Sequence, residues 1–410
     1  MHLHLLLPAI LLPAKGLGEA ARRIRIPVVI GEIGAGILLG PALLRVIPSA
    51  SQTSEDFALL KELASIGLCG LLFKMGLETH LGDFERAWRP AAKLSVAGVI
   101  LPFLFGWGLG WLWGWGQRSA VFVGATLVAT SLGVTASVLH ELGAQSSREG
   151  ALIFTAAILD DIVGLLLFSV LAALITPGLS VFGTAALALG QAVALIAGGL
   201  LIGSLAVRLA VLLGRWTDSK STLLVLAFSF LLLMAYAAKA AGLVMIIGAY
   251  AAGLAFARHP ERARLEGDLN PLIGLLAPLF YILIGASIDF SGFHPFSLSG
   301  LQSFGNVLLL FLVAVSGKML AAVVLGGESI NRLAVGSGMI PRGGIGFVFA
   351  QVGLTAGIFG PELYSQIALA LIATTLAGPI LLRFLWSRRQ SPVCDQTPSH
   401  TPPVTAKRDL

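Results

Sequence analysis

Ile158-Leu159-Asp160-Asp161-Ile162-Val163-Gly164 sets two successive carboxylates near the centre of an otherwise apolar run, residues 149–175. One ionised carboxylate at the middle of a hydrocarbon layer costs about 2.5–3.5 kcal/mol on insertion scales, so two in succession need a reason. The run around them is long enough to cross a bilayer core of about 30 Å as a helix rising about 1.5 Å per residue. Outward from it, comparable runs cover 3–20, 27–47, 58–77, 90–115, 119–140, 183–213, 221–239, 242–257, 270–289, 303–325, 332–357 and 362–386, about thirteen in all. Pro8 and Pro13 interrupt the first of these and make it the weakest. Lipid offers no partner to open backbone groups, so the runs are read as helices. The expected fold class is an all-α polytopic membrane protein.

Composition agrees. The 410 residues are 56% hydrophobic and only 12% charged, with a mean hydropathy of +0.90, too little polar side chain to coat a water-soluble globule. The net charge of +6 does not point to nucleic acid, because Arg and Lys cluster at 22–25, 86–89, 208–220, 258–264 and 383–389, in alternate loops. That alternation is the positive-inside pattern. It puts the N-terminus outside and the C-terminus in the cytoplasm. Cys69 lies in an apolar run and Cys394 in a polar tail, and the histidines lack helical pairing, so neither a metal cluster nor another cofactor is expected. Residues 387–410 turn to Ser, Pro, Thr and charge and read as a disordered cytoplasmic tail.

An inverted repeat is expected, with helices one to six answering eight to thirteen and the seventh as linker. Two discontinuous helices support it. The fifth run has a weak point at Thr130-Ser131-Leu132-Gly133, and the twelfth a stronger one at Pro341-Arg342-Gly343-Gly344-Ile345-Gly346. Pro removes a backbone donor and Gly lowers the cost of leaving helical geometry. Corresponding breaks in two halves point to a transporter's ion site, although small residues also serve plain helix packing.

Adjacent helical residues point about 100° apart, so Asp160 and Asp161 need different partners. Lys318, inside the eleventh run, is the embedded cation able to pair with one of them. The other reading is that Lys318 snorkels to the interface. A buried carboxylate is held neutral by a proton or a bound cation, so the two compete for the same oxygens. Thr130 and Ser131, with freed backbone carbonyls, are candidate further ligands for a monovalent cation; the alternative is that these hydroxyls bond one turn back along their own helix.

Several motifs in order carry a resemblance: Gly31-Glu32-Ile33-Gly34-Ala35-Gly36-Ile37-Leu38-Leu39-Gly40-Pro41, Leu72-Phe73-Lys74-Met75-Gly76-Leu77-Glu78, Ala129-Thr130-Ser131, the Asp160-Asp161 pair, Ile247-Gly248-Ala249-Tyr250-Ala251-Ala252-Gly253-Leu254, and Pro278-Leu279-Phe280 with Ile284-Gly285. Over residues 27–386 the chain resembles the bacterial sodium or potassium/proton exchangers of the second monovalent cation/proton antiporter family, the NapA-type and Kef-type proteins. The resemblance implies a homodimer in a bacterial inner or thylakoid membrane, crossed discontinuous helices, and an elevator-like movement that carries the ion. It divides the chain into mainly dimerisation helices (1–89), a first core half (90–175), a linker helix (176–220), dimerisation helices again (221–290) and a second core half (291–386). It also implies that Asp161 is the principal cation ligand and that Asp160 pairs with Lys318. The Asp-Asp and lysine combination favours Na⁺, with Li⁺ or K⁺ as alternatives, and more than one proton per cation. Where related chains often carry an acid after Pro-Arg-Gly, this one has Gly344, which leaves Arg342 without that local partner. Glu32 and Glu78 are expected to be solvated or packed rather than ion-binding.

Two other classes are weighed. An intramembrane aspartyl protease needs two carboxylates converging from different helices, and Asp289 sits near a helix end, so an enzyme is not expected. A passive or regulated cation channel would move no proton in the opposite direction.

Overall fold

The computed structural model describes residues 3–47, 55–78, 84–144, 147–175 and 222–387, except 242, 244, 258, 260, 294–296 and 327–329, with isolated positions between 186 and 198. Apart from those positions, the expected linker and the tail after Ser387 lie outside the described residues. Every regular element among the described residues is helical.

The order is α1 (Leu3–Arg23), α2 (Val28–Leu39), α3 (Glu55–Glu78), α4 (Phe84–Leu112), α5 (Gln117–Thr126), α6 (Leu132–Glu141), α7 (Arg148–Ile175), α8 (Thr222–Ala240), α9 (Met245–Phe256), α10 (Arg262–Ala286), α11 (Leu298–Ala321), α12 (Arg332–Gly338), α13 (Gly344–Thr355) and α14 (Pro361–Ser387). Six of these segments are long and apolar enough to cross a membrane, and α2, α9 and α13 are shorter apolar helices. Large apolar side chains such as Leu12, Leu104, Leu233, Leu308 and Ile380 stand exposed on the outer surface, as expected where the solvent is lipid.

Several boundaries differ from the sequence reading. The expected helix over 27–47 stops at Leu39, where Gly40 is extended (φ −73°, ψ −179°). Pro41 is the cause, since it disfavours helical geometry in the residue before it. The helix expected from 270 starts at Arg262, because its first turns are charged and held by the Arg264–Glu261 pair at 2.9 Å, which hydropathy does not register. The fifth and twelfth runs are each two helices, α5 with α6 and α12 with α13.

The helices pack in two groups. One contains α1, α2, α3, α8, α9 and α10; the other contains α4 to α7 and α11 to α14. Small residues set the spacing inside each group. A side chain at Gly253 of α9 would overlap the Phe73 carbonyl of α3, and one at Gly76 of α3 would overlap the Tyr250 carbonyl of α9. Without a hydrophobic drive between helices in lipid, such backbone approach supplies the attraction.

Gly253→Val is therefore expected to destabilise the protein by about 1–3 kcal/mol through overpacking. Gly274→Ala, at a position with open space around it, should leave stability unchanged. Thermal unfolding in detergent, followed by the folded fraction on size exclusion, compares the two.

Candidate ion-binding site

The second group of helices brings four charged side chains into its interior. Asp160 and Lys318 are fully buried, Asp161 is 3% exposed, and Arg342 is fully buried. With both carboxylates ionised their formal charges sum to zero, the condition under which charges tolerate an apolar surrounding.

Asp160 accepts hydrogen bonds on both of its oxygens. Its Oδ1 accepts from Ser95 Oγ at 2.7 Å, and its Oδ2 accepts from Thr130 Oγ1 at 2.8 Å and from Lys318 Nζ at 2.5 Å. Lys318 thus turns inward to Asp160 rather than snorkelling. Thr130 likewise spends its hydrogen on a carboxylate from another helix and not one turn back along its own.

Asp161 differs in kind. Its Oδ1 is buried with no hydrogen-bond partner, and the residue lines a cavity of about 500 Å³. Thr130, Ser131, Gly133, Gly343 and Gly344 line the same cavity from the second group, and Tyr281, Leu71, Lys74 and Glu78 from the first. The cavity therefore opens between the two groups. Arg22, Arg25 and Arg383, from two of the basic clusters of the sequence, also border it.

The two interruptions meet beside this site. Ser131 N donates to the Pro341 carbonyl at 2.7 Å, and Thr135 Oγ1 to the Gly338 carbonyl at 2.7 Å. Arg342 donates to the carbonyls of Ala129 at 3.0 Å and Ala314 at 3.1 Å, and Thr375 donates to the Arg342 carbonyl. A broken helix frees carbonyls that lipid cannot satisfy, and a guanidinium offers five donors in a fixed fork. Arg342, expected to lack a partner because Gly344 is no acid, finds backbone oxygens instead. Gly133 stands inside the first turn of α6, just beyond the gap at 127–131, whereas Gly343 and Gly344 begin α13.

Glu32 is buried in α2 at 6% exposure and not solvated, while Glu78 lies 3.5 Å from Lys74. Asp289 is engaged locally, its carboxylate accepting from the backbone and hydroxyl of Ser291. Ser95 escaped the sequence reading, since a lone serine in an apolar helix is ordinary. One turn on, a Cβ at Gly98 would come within 3.2 Å of Lys318 Nζ, a proximity that only the structure reveals.

Residues 6–388 match the family described as sodium/hydrogen exchanger, transmembrane. The high-affinity Na⁺/H⁺ antiporter NhaS3 of Synechocystis is 32% identical, over 94% of this chain and 90% of that protein. The Na⁺/H⁺-K⁺ antiporter GerN of Bacillus cereus is 30% identical, over 93% of this chain and 95% of its own. In fold, the chain is similar to the sodium proton antiporter MjNhaP1 of Methanocaldococcus jannaschii, with a TM-score of 0.70 at 16% identity over 93% of this chain and 95% of that one.

Breaking a buried ion pair on one side strands the other charge, at about 3–5 kcal/mol. Lys318→Gln is expected to lose stability of that order, and the double change Lys318→Gln with Asp160→Asn to regain most of it. Melting temperatures of the purified variants measure both.

Proposed function

The chain belongs to the sodium/hydrogen exchanger family, and from that premise we propose that it is a secondary antiporter exchanging a monovalent cation, Na⁺ first, for protons at Asp161. One observation carries the reading: of two adjacent buried carboxylates, Asp160 accepts from Ser95, Thr130 and Lys318, while Asp161 has no donor on its buried Oδ1 and lines a cavity. An ion entering that cavity meets a carboxylate whose Oδ1 has no hydrogen-bond donor. Thr130 has given its hydrogen to Asp160, so its lone pairs are free for the ion, together with oxygens near Ser131. A proton on Asp161 removes the charge that holds the cation, and a cation there repels the proton. Exchange follows from this competition.

The names of the similar antiporters and the Asp160, Asp161 and Lys318 set support Na⁺ as the cation, with Li⁺ or K⁺ as the alternatives. The basic residues bordering the cavity support a cytoplasmic opening, with the C-terminus on that side of a bacterial inner or thylakoid membrane. We read the two interrupted helices as a crossed pair within an inverted repeat of about thirteen crossings.

Alternating access requires the opposite end to open in turn. At that end Asp289 N donates to Ser365 Oγ at 2.7 Å, and Tyr364 Oη, with one hydrogen to give, lies 3.1 Å from the Ile284 carbonyl and 3.0 Å from Gln351 Oε1, joining α14 to the segment at the end of α10. Along α14, Tyr364 lies about 22 Å from the cavity-lining Pro379 at about 1.5 Å per residue. In this reading the second helix group (90–175 and 291–386) slides as a core against the first (1–89 and 221–290), which forms the homodimer, and the contacts at Tyr364 and Ser365 part when the core moves.

Asp161→Asn is expected to abolish sodium-driven proton flux in everted vesicles while the protein still folds; normal flux would reject the assignment. Cysteines replacing Asp289 and Ser365 are expected to form a disulfide that stops exchange and to release it on reduction. Undiminished exchange in the fully oxidised protein would rule out parting at that end.

A further inference from the structure

Ser95 is 1% exposed on α4 and is not among the residues lining the cavity, yet its hydroxyl reaches the carboxylate beside the cation site. The same face of α4 receives Lys318. A Cβ on Gly98 would crowd the ammonium at 3.2 Å, and one on Gly317 of α11 would lie 2.9 Å from Pro102, so α4 and α11 meet closely where the pair forms. The hydroxyl of Thr130 has two acceptors within reach, Asp160 Oδ2 at 2.8 Å and the Met339 carbonyl at 3.3 Å, and a single hydrogen to give. Which acceptor receives it depends on how the Asp160 carboxylate is turned.

We infer that Ser95 is a positioning residue for cation binding, orienting Asp160 so that it takes the Thr130 hydrogen and leaves a lone pair of Thr130 aimed at the ion. The inference rests on the reading that Asp161 is the cation ligand. By holding Oδ1, Ser95 aims Oδ2 at Thr130 and Lys318 together. Without it the carboxylate is held on one oxygen only, and Thr130 turns to the Met339 carbonyl. The cation then loses a well-directed neutral ligand but keeps Asp161, so affinity falls while transit does not.

The test uses the full chain in liposomes at one fixed pH, with Na⁺-driven proton flux and Na⁺-dependent thermal stabilisation read in parallel. Ser95→Ala is expected to raise the KM for Na⁺ about tenfold, the scale of one charge-assisted hydrogen bond, with the maximal rate falling less than twofold. Ser95→Thr should restore the wild-type KM, and Ser95→Cys, a weaker donor of similar size, should fall between. In thermal stabilisation, Ser95→Ala added to Thr130→Val should shift the half-maximal Na⁺ concentration no further than Thr130→Val alone, because the effect runs through Thr130. A lower maximal rate or melting temperature with unchanged KM would mark Ser95 as packing only and overturn the inference, as would additivity in the double variant. Asp161→Asn in the same assay separates the two claims. Flux in that variant defeats the exchange reading, whereas an inert Asp161→Asn beside wild-type KM in Ser95→Ala and Ser95→Cys defeats only the role of Ser95.

Discussion

Asp160 cannot reach water, and its charge has to be met from within the protein. Three donors from three separate parts of the chain meet it, Ser95 on α4, Thr130 between α5 and α6, and Lys318 on α11. Their convergence sets where those segments stand relative to α7. A buried ion pair is weak evidence of stability, since an apolar pair of similar volume often does as well. Its place here is better explained by what it leaves behind: with donors on both oxygens of Asp160, the neighbouring Asp161 is the one whose buried Oδ1 has no hydrogen-bond partner, which is the basis of the exchange proposed above.

The broken helices obey the same constraint in neutral form. Their freed carbonyls are buried, and each needs a donor. Arg342 serves Ala129 at the first break and ties it to the Ala314 carbonyl of the unbroken α11, while Ser131 and Thr135 serve Pro341 and Gly338. Gly343 lies against Ser131, where a Cβ would come within 2.6 Å of the hydroxyl oxygen. The glycines at that place permit contact between the two interruptions as much as they permit the interruption itself.

Much of this was legible in the sequence. Asp160 and Asp161 stand out because charge in an apolar run is costly, and Lys318 because it is the cation at matching depth. Pro341 to Gly344 mark a break by their own stereochemistry. Other parts left no such mark. Ser95 looks like any small polar residue in a membrane helix until α7 is placed beside it. The partners of Arg342 are carbonyls, which every residue carries and which therefore leave no mark in the sequence. The start of α10 was missed because Arg262, Glu266 and Asp268 are polar, and hydropathy does not distinguish a solvated helical turn from a loop.

Arg342 is covalently part of one broken helix and hydrogen-bonded to the other and to α11, which also carries Lys318. The two broken helices and α11 are thereby riveted to one another across their seams. In the exchange proposed above, segments joined in this way would change their exposure more readily as one block than by loosening one wall. The ion would then surrender its hydration shell once, at the cavity, and the same protein oxygens would stand in for water throughout the crossing.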